Sequence, residues 1–151
     1  MSIPGGDEHL PRIRQAVASA PDRDAALTAA VTVLKTTFPQ YTWVGIYLLD
    51  GDELVLGPYL GKPSPHTRIP LGRGICGAAA EAGTTIVVDD VHSDPRYLAC
   101  SIETQSEIVV PILRGGTVVG EIDIDSDARA AFGRDDQQML EAVAVILSEK
   151  L

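Results

Sequence analysis

Residues 106–126 read SEIVVPILRGGTVVGEIDIDS. Apolar side chains alternate on either side of Arg114-Gly115-Gly116, the period of two that a half-buried strand requires. Ile108, Val110 and Ile112 share one face of the first arm, and Val118, Gly120, Ile122 and Ile124 share one face of the second. Glu121, Asp123 and Asp125 then line the opposite face. In an antiparallel pair, facing residue numbers have a constant sum, and joining the two apolar sets demands an even one. A two-residue Gly115-Gly116 loop pairs Arg114 with Thr117, an odd sum of 231, and sets Ile108 against Asp123. The pattern therefore predicts an odd loop, of three residues with a glycine at positive φ. Sums of 230 or 232 bring Glu107 opposite Asp123 or Asp125. Directly opposed side chains have Cβ atoms about 5 Å apart, so three carboxylates crowd together. Repulsion and partial burial raise at least one pKa, leaving a protonated carboxyl for acid catalysis and net negative charge for an ammonium group.

Working outward, two helices open the chain, over about 7–20 and from Asp22, a side chain suited to capping, to about Phe38. Ala26, Leu27, Ala30, Val31 and Leu34 recur at helical spacing in the second. The period then switches to two. Across 41–49, Val44, Ile46 and Leu48 point one way, and Trp43, Gly45 and Tyr47 the other. A DGDE turn leads to a strand over 54–59. The proline-rich LGKPSPHTRIP at 60–70 reads as a mobile loop. A short helix over 75–82 ends at Gly83, and a strand follows at 85–88. The segment 89–105 is irregular, with at most one helical turn near 95–98. A last helix runs over about 135–150, its stripe Met139, Leu140, Val143, Ile146 and Leu147. The order predicts an α+β fold. Its central antiparallel sheet carries the N- and C-terminal helices on one face and a loop-covered pocket on the other. Trp43 and Tyr47 with a gap at Gly45 would join the acids on the pocket side, as a hollow for a small zwitterion.

The length of 151 residues favours one domain, 1–151. A formal charge of −9 repels phosphate backbones and anionic membranes. No apolar run is long enough to span a bilayer, and MSIPGGDEHLPR lacks a signal pattern, so a cytoplasmic location is expected. Cys76 and Cys100 fit neither a CxxC motif nor a paired zinc-ligand spacing. Cys76 sits tightly at a helix start, whereas Cys100 lies in the irregular segment, from which a loop thiol can reach over a sheet face. Gly72-Arg73-Gly74-Ile75-Cys76-Gly77 matches GxGxxG, but no full βαβ unit surrounds it, and a tight turn packing the helix is expected. His9, His66 and His92 share no spacing, and DDVHSD reads as a polar turn.

RIPLGRGICGAAAEAGTTIVVDDVHSDPRY resembles the central stretch of a GAF domain. More narrowly, WVGIYLL, ELVLGPYLGK, RIPLGRGICG, YLACSIETQSEIVVPI and GEIDIDS resemble the free methionine-(R)-sulfoxide reductases, from about Pro39 to the C-terminus. The resemblance implies a GAF-like fold and reduction of free L-methionine-(R)-sulfoxide to L-methionine. By it Cys100 is the nucleophile, Glu107, Asp123 and Asp125 bind the substrate and protonate its oxygen, Trp43 packs on the methyl group, and Tyr47 lines the pocket. It implies a homodimer and chemistry that needs neither a metal nor an organic cofactor. A resolving cysteine is usual in the loop before RIP; His66 stands there in this chain. Either Cys76 resolves in its place, or glutathione or a thioredoxin-like protein attacks directly. The alternative reading is a non-catalytic GAF module that senses a small ligand.

Overall fold

The computed structural model describes residues 6–98 and 102–151. In chain order these form α1 (Gly6–Ala18), α2 (Arg23–Thr37), β1 (Trp43–Asp50), β2 (Glu53–Leu60), β3 (Arg68–Pro70), α3 (Gly74–Ala82), β4 (Ile86–Val88), β5 (Ser106–Arg114), β6 (Thr117–Ser126) and α4 (Arg134–Ser148). The strands make one antiparallel sheet in the order β3-β2-β1-β6-β5-β4.

Two hydrophobic clusters, one on each face, follow from the alternation. Val44, Ile46, Ile108, Val110, Ile112, Ile122 and Ile124 pack under the apolar stripes of α2 and α4, with α1 behind them. The Asp22 carboxylate caps α2 by accepting from the Ala25 amide at 2.9 Å. The second cluster sets Ile75, Cys76 and Ala79 of α3 against Trp43, Tyr47 and Val109 of the sheet. Between the GxGxxG glycines, the Gly72 amide donates to the Gly77 carbonyl at 2.9 Å. A Cβ on Gly77 would lie 2.6 Å from the Pro70 carbonyl, so this motif is a close-packed turn rather than a phosphate loop.

The hairpin reaches the predicted register by another route. Ile108 faces Ile124 and Glu107 faces Asp125, a sum of 232. The loop nevertheless has two residues: Gly115 and Gly116 both take positive φ, 59° and 82°, and Arg114 pairs with Thr117. The extra residue is Val119, a β-bulge between the Leu113–Val118 and Ile112–Gly120 pairs. Two adjacent glycines suit the tight turn that matches strand twist, and the bulge then corrects the parity. It also moves Val118 off the face assigned to it: Val118 packs on the α3 side and Val119 on the α4 side.

Two further expectations change. The last three residues of the 60–70 stretch form β3, an edge strand on β2 where prolines are tolerated. Among the described residues of 89–105, a helical turn lies at Val91–Ser93, ahead of 95–98, because the Asp90 side chain accepts from the His92 amide and starts the turn there.

Candidate functional site

Three rungs of the sheet build the acidic site. β6 is central, so each acid has a neighbour on both sides. Asp125 lies between Trp43 of β1 and Glu107 of β5. Asp123 lies between Gly45 and Val109, and Glu121 between Tyr47 and Pro111. Trp43, Tyr47, Glu107, Asp123 and Asp125, singled out in the sequence, therefore converge on one face. The sequence reading left Glu121 out of the final cluster, although alternation alone places it there. It is fully buried.

The gap at Gly45 is filled. The Trp43 indole lies across it, so that a Cβ there would meet Cη2 at 2.3 Å. The indole stacks on Tyr59 with centroids 5.5 Å apart. Its Nε1–H donates to the Lys62 carbonyl at 2.9 Å, and the Tyr47 hydroxyl donates to the His66 carbonyl at 2.7 Å. These two bonds tie the proline-rich loop over the pocket, where the composition suggested a mobile one. No side-chain pattern foretold carbonyl partners, because every residue carries a carbonyl.

Tyr47, His66, Ile69, Gly74, Ile75, Cys76, Leu98, Glu107 and Asp123 enclose a cavity of about 10 Å³, room for a single water. His66 is thus a cavity residue, while His9 packs edge-on to Phe38 and His92 edge-on to Tyr97. Cys76 lies in the wall, its thiol 4.0 Å from Glu107 Oε2. Cys100, the expected nucleophile, lies outside the described residues. In the chain it stands two positions after Leu98, a cavity residue.

Glu107, Glu121, Asp123 and Asp125 are at most 6% exposed. Burial is the largest influence on each, and it raises all four carboxyl pKa values. Negative neighbours raise Glu107, Glu121 and Asp125 further. Hydrogen bonds act in opposite directions: those to Asp123 and Asp125 raise Glu107, and its bonds lower theirs. Glu107, hydrogen-bonded to both Asp123 and Asp125, shares protons with them as one linked group. Burial, then the charges of Asp123, Glu121, Glu107 and Asp125, push the Cys76 thiol well up, so it stays protonated. Glu121 Oε1 and Oε2, Asp123 Oδ1 and Asp125 Oδ1 have no hydrogen-bond partner among the described residues.

Residues 22–151 match the model of the GAF domain family. The chain is 36% identical over 127 residues to the free methionine-R-sulfoxide reductase of Escherichia coli, spanning 84% of this chain and 76% of that one. The chain belongs to the GAF-domain family of free methionine-R-sulfoxide reductases. Among solved structures, the family's Neisseria meningitidis enzyme, in complex with its substrate, superposes with a TM-score of 0.92 at 44% identity. That alignment covers 96% of this chain and 87% of the other. The substrate complex of the fRMsr of Staphylococcus aureus aligns over 100% of this chain and 99% of its own, with a TM-score of 0.90 at 34% identity. Among the described residues, no helix is long and apolar enough to cross a membrane.

Proposed function

We propose that this protein reduces free L-methionine-(R)-sulfoxide to L-methionine, using Cys100 as the nucleophile and the buried acids as binding and proton-transfer groups. The observation that carries the reading is the shared rung on which Trp43, Asp125 and Glu107 meet, in a family whose members are named for this reaction. Asp123 pairs with the substrate ammonium. The Trp43 indole offers an apolar face to the S-methyl group, and Tyr47 closes the side of the pocket. Glu107 delivers its proton to the sulfoxide oxygen, and Asp125, hydrogen-bonded to it, passes protons on.

The Cys100 sulfur attacks the sulfoxide sulfur, and oxygen ends on the cysteine: thiol plus sulfoxide become sulfenic acid plus thioether. One external thiol then displaces water to form a mixed disulfide, and a second releases the Cys100 thiol. A buried, protonated Cys76 is a poor attacker, which supports glutathione or a thioredoxin-like protein as the resolving partner. The substrate has ten heavy atoms, so the segments over the small cavity must part to admit it. The same reading takes residues 1–151 as one domain, working as a cytoplasmic homodimer. Light scattering tests the homodimer.

The deciding experiment is NADPH-coupled turnover of free methionine-(R)-sulfoxide with a thioredoxin or glutathione system. Loss of turnover in Cys100→Ser but not in Cys76→Ser supports the mechanism with an external thiol. No turnover with any reductant would return the protein to the ligand-sensing class.

A further inference from the structure

The reaction leaves Cys76 without a role, yet the fold brings it to the centre of the acids. Cys76 Sγ, a Glu107 oxygen and an Asp123 oxygen lie within 4.8 Å of one another, contributed by α3, β5 and β6. Each residue is more than nine-tenths buried. Independently, Asp123 Oδ1 is buried beside the cavity with no hydrogen-bond partner among the described residues. The ion pairs formed among the described residues reach none of the four acids. Buried oxygens left in this condition call for a proton or a cation.

We propose that Cys76, Glu107 and Asp123 form a binding site for a soft divalent cation, zinc, which excludes substrate from the pocket. A set of one sulfur and two oxygens suits zinc, whereas magnesium and calcium select oxygen ligands. Zinc bonds of about 2.0–2.3 Å require the three donors to draw in by under ~1 Å. Binding forms one zinc–sulfur and two zinc–oxygen bonds, releases to solvent the thiol proton and the proton shared by the Glu107 and Asp123 carboxyls, and changes no oxidation state. Zinc here acts as an inhibitor, since the cavity cannot hold the ion together with an amino acid, and Glu107 and Asp123 serve both. The binding claim is independent of the reductase reading; the exclusion claim rests on it.

The test uses the full-length, reduced, metal-free protein, titrated with zinc by calorimetry and with cobalt(II) by absorbance, without any turnover. One ion per chain is expected, with a thiolate-to-cobalt charge-transfer band in the near ultraviolet. The band should vanish in Cys76→Ser and persist in Cys100→Ser. Glu107→Gln and Asp123→Asn should each weaken binding by roughly tenfold or more, and they carry the test if circular dichroism shows Cys76→Ser unfolded. Free methionine should displace the ion. No binding at millimolar zinc, a band that survives Cys76→Ser, or one lost only in Cys100→Ser would overturn the site. Failure here leaves the coupled turnover assay unaffected.

Discussion

Gly45→Ala places one methyl group under the indole. The new Cβ would stand 2.3 Å from Trp43 Cη2, 2.6 Å from Cζ3 and 3.1 Å from Tyr59 Cβ. Carbon atoms pack at about 3.5–4.0 Å, so the ring has to retreat by more than ~1 Å. It has little freedom to do so. Its nitrogen is bonded to the Lys62 carbonyl at 2.9 Å, and a Cβ on Gly61 would already meet its Cδ1 at 2.6 Å. Overpacking of this kind costs about 1–3 kcal/mol. In a chain of this size that lowers the melting temperature by roughly 2–12 °C. If the same energy is withdrawn from substrate binding, KM rises roughly 5- to 150-fold. The kcat should fall less, because Glu107 and Asp125 are on other strands. Thermal denaturation and steady-state kinetics read both effects, and adding Trp43→Phe should restore part of the stability. A Gly45→Ala protein with unchanged melting temperature and KM would show that the indole does not lie across Gly45, and the proposed methyl-binding wall would go with it.

The acid cluster sets the pH dependence of stability. All four carboxyl pKa values are raised in the fold, so the folded protein keeps protons that the unfolded chain has lost. Their stabilising contribution is complete below the ordinary carboxylate range and is lost as pH rises through the folded values, at up to ~1.4 kcal/mol per pH unit for each group. Stability measured in denaturant should therefore decline from pH 5 to pH 8, and Glu121→Gln should flatten the decline; a rise over that interval contradicts the cluster. Cys76, buried and protonated, should resist iodoacetamide at neutral pH in the folded protein and react after denaturation, as peptide mass spectrometry would show. Rapid labelling of folded Cys76 would refute its placement. Gly116→Ala, at φ 82°, should cost about 1–2 kcal/mol without shifting the register, so activity at low temperature should persist. Loss of activity in a still-folded variant would mean that the turn, rather than the bulge, holds Glu107 against Asp125.

Periodicity made the faces of β1 and β5, and of β6 beyond its bulge, legible. The side chains of Ile108, Ile122 and Ile124 had to be buried, and that requirement carried Glu107 opposite Asp123 or Asp125, of which the structure has Asp125. The means of meeting it was not legible, because a three-residue loop and a two-residue loop with a bulge satisfy the same parity. The path of the proline-rich loop was hidden for a different reason. Its anchors are the Lys62 and His66 carbonyls, which leave no trace in side-chain pattern. Cys76 could be placed at a helix start, but its position over the acids depends on the packing angle of α3, a tertiary quantity. The roles of Cys100 and the sulfoxide came from family resemblance rather than from spacing.

Three of the four acids, Glu121, Asp123 and Asp125, sit on β6, and the indole on β1. Trp43 and Asp125 are neighbours although roughly eighty residues separate them, and closing so long a loop is slow relative to local structure formation. During synthesis, β6, which completes the hollow, leaves the ribosome after β1 to β5. The full set of acids is therefore not available to a ligand in the earlier stages of folding. A nascent chain stalled before residue 120 would hold the aromatic wall, Cys76 and Glu107 but lack Glu121, Asp123 and Asp125.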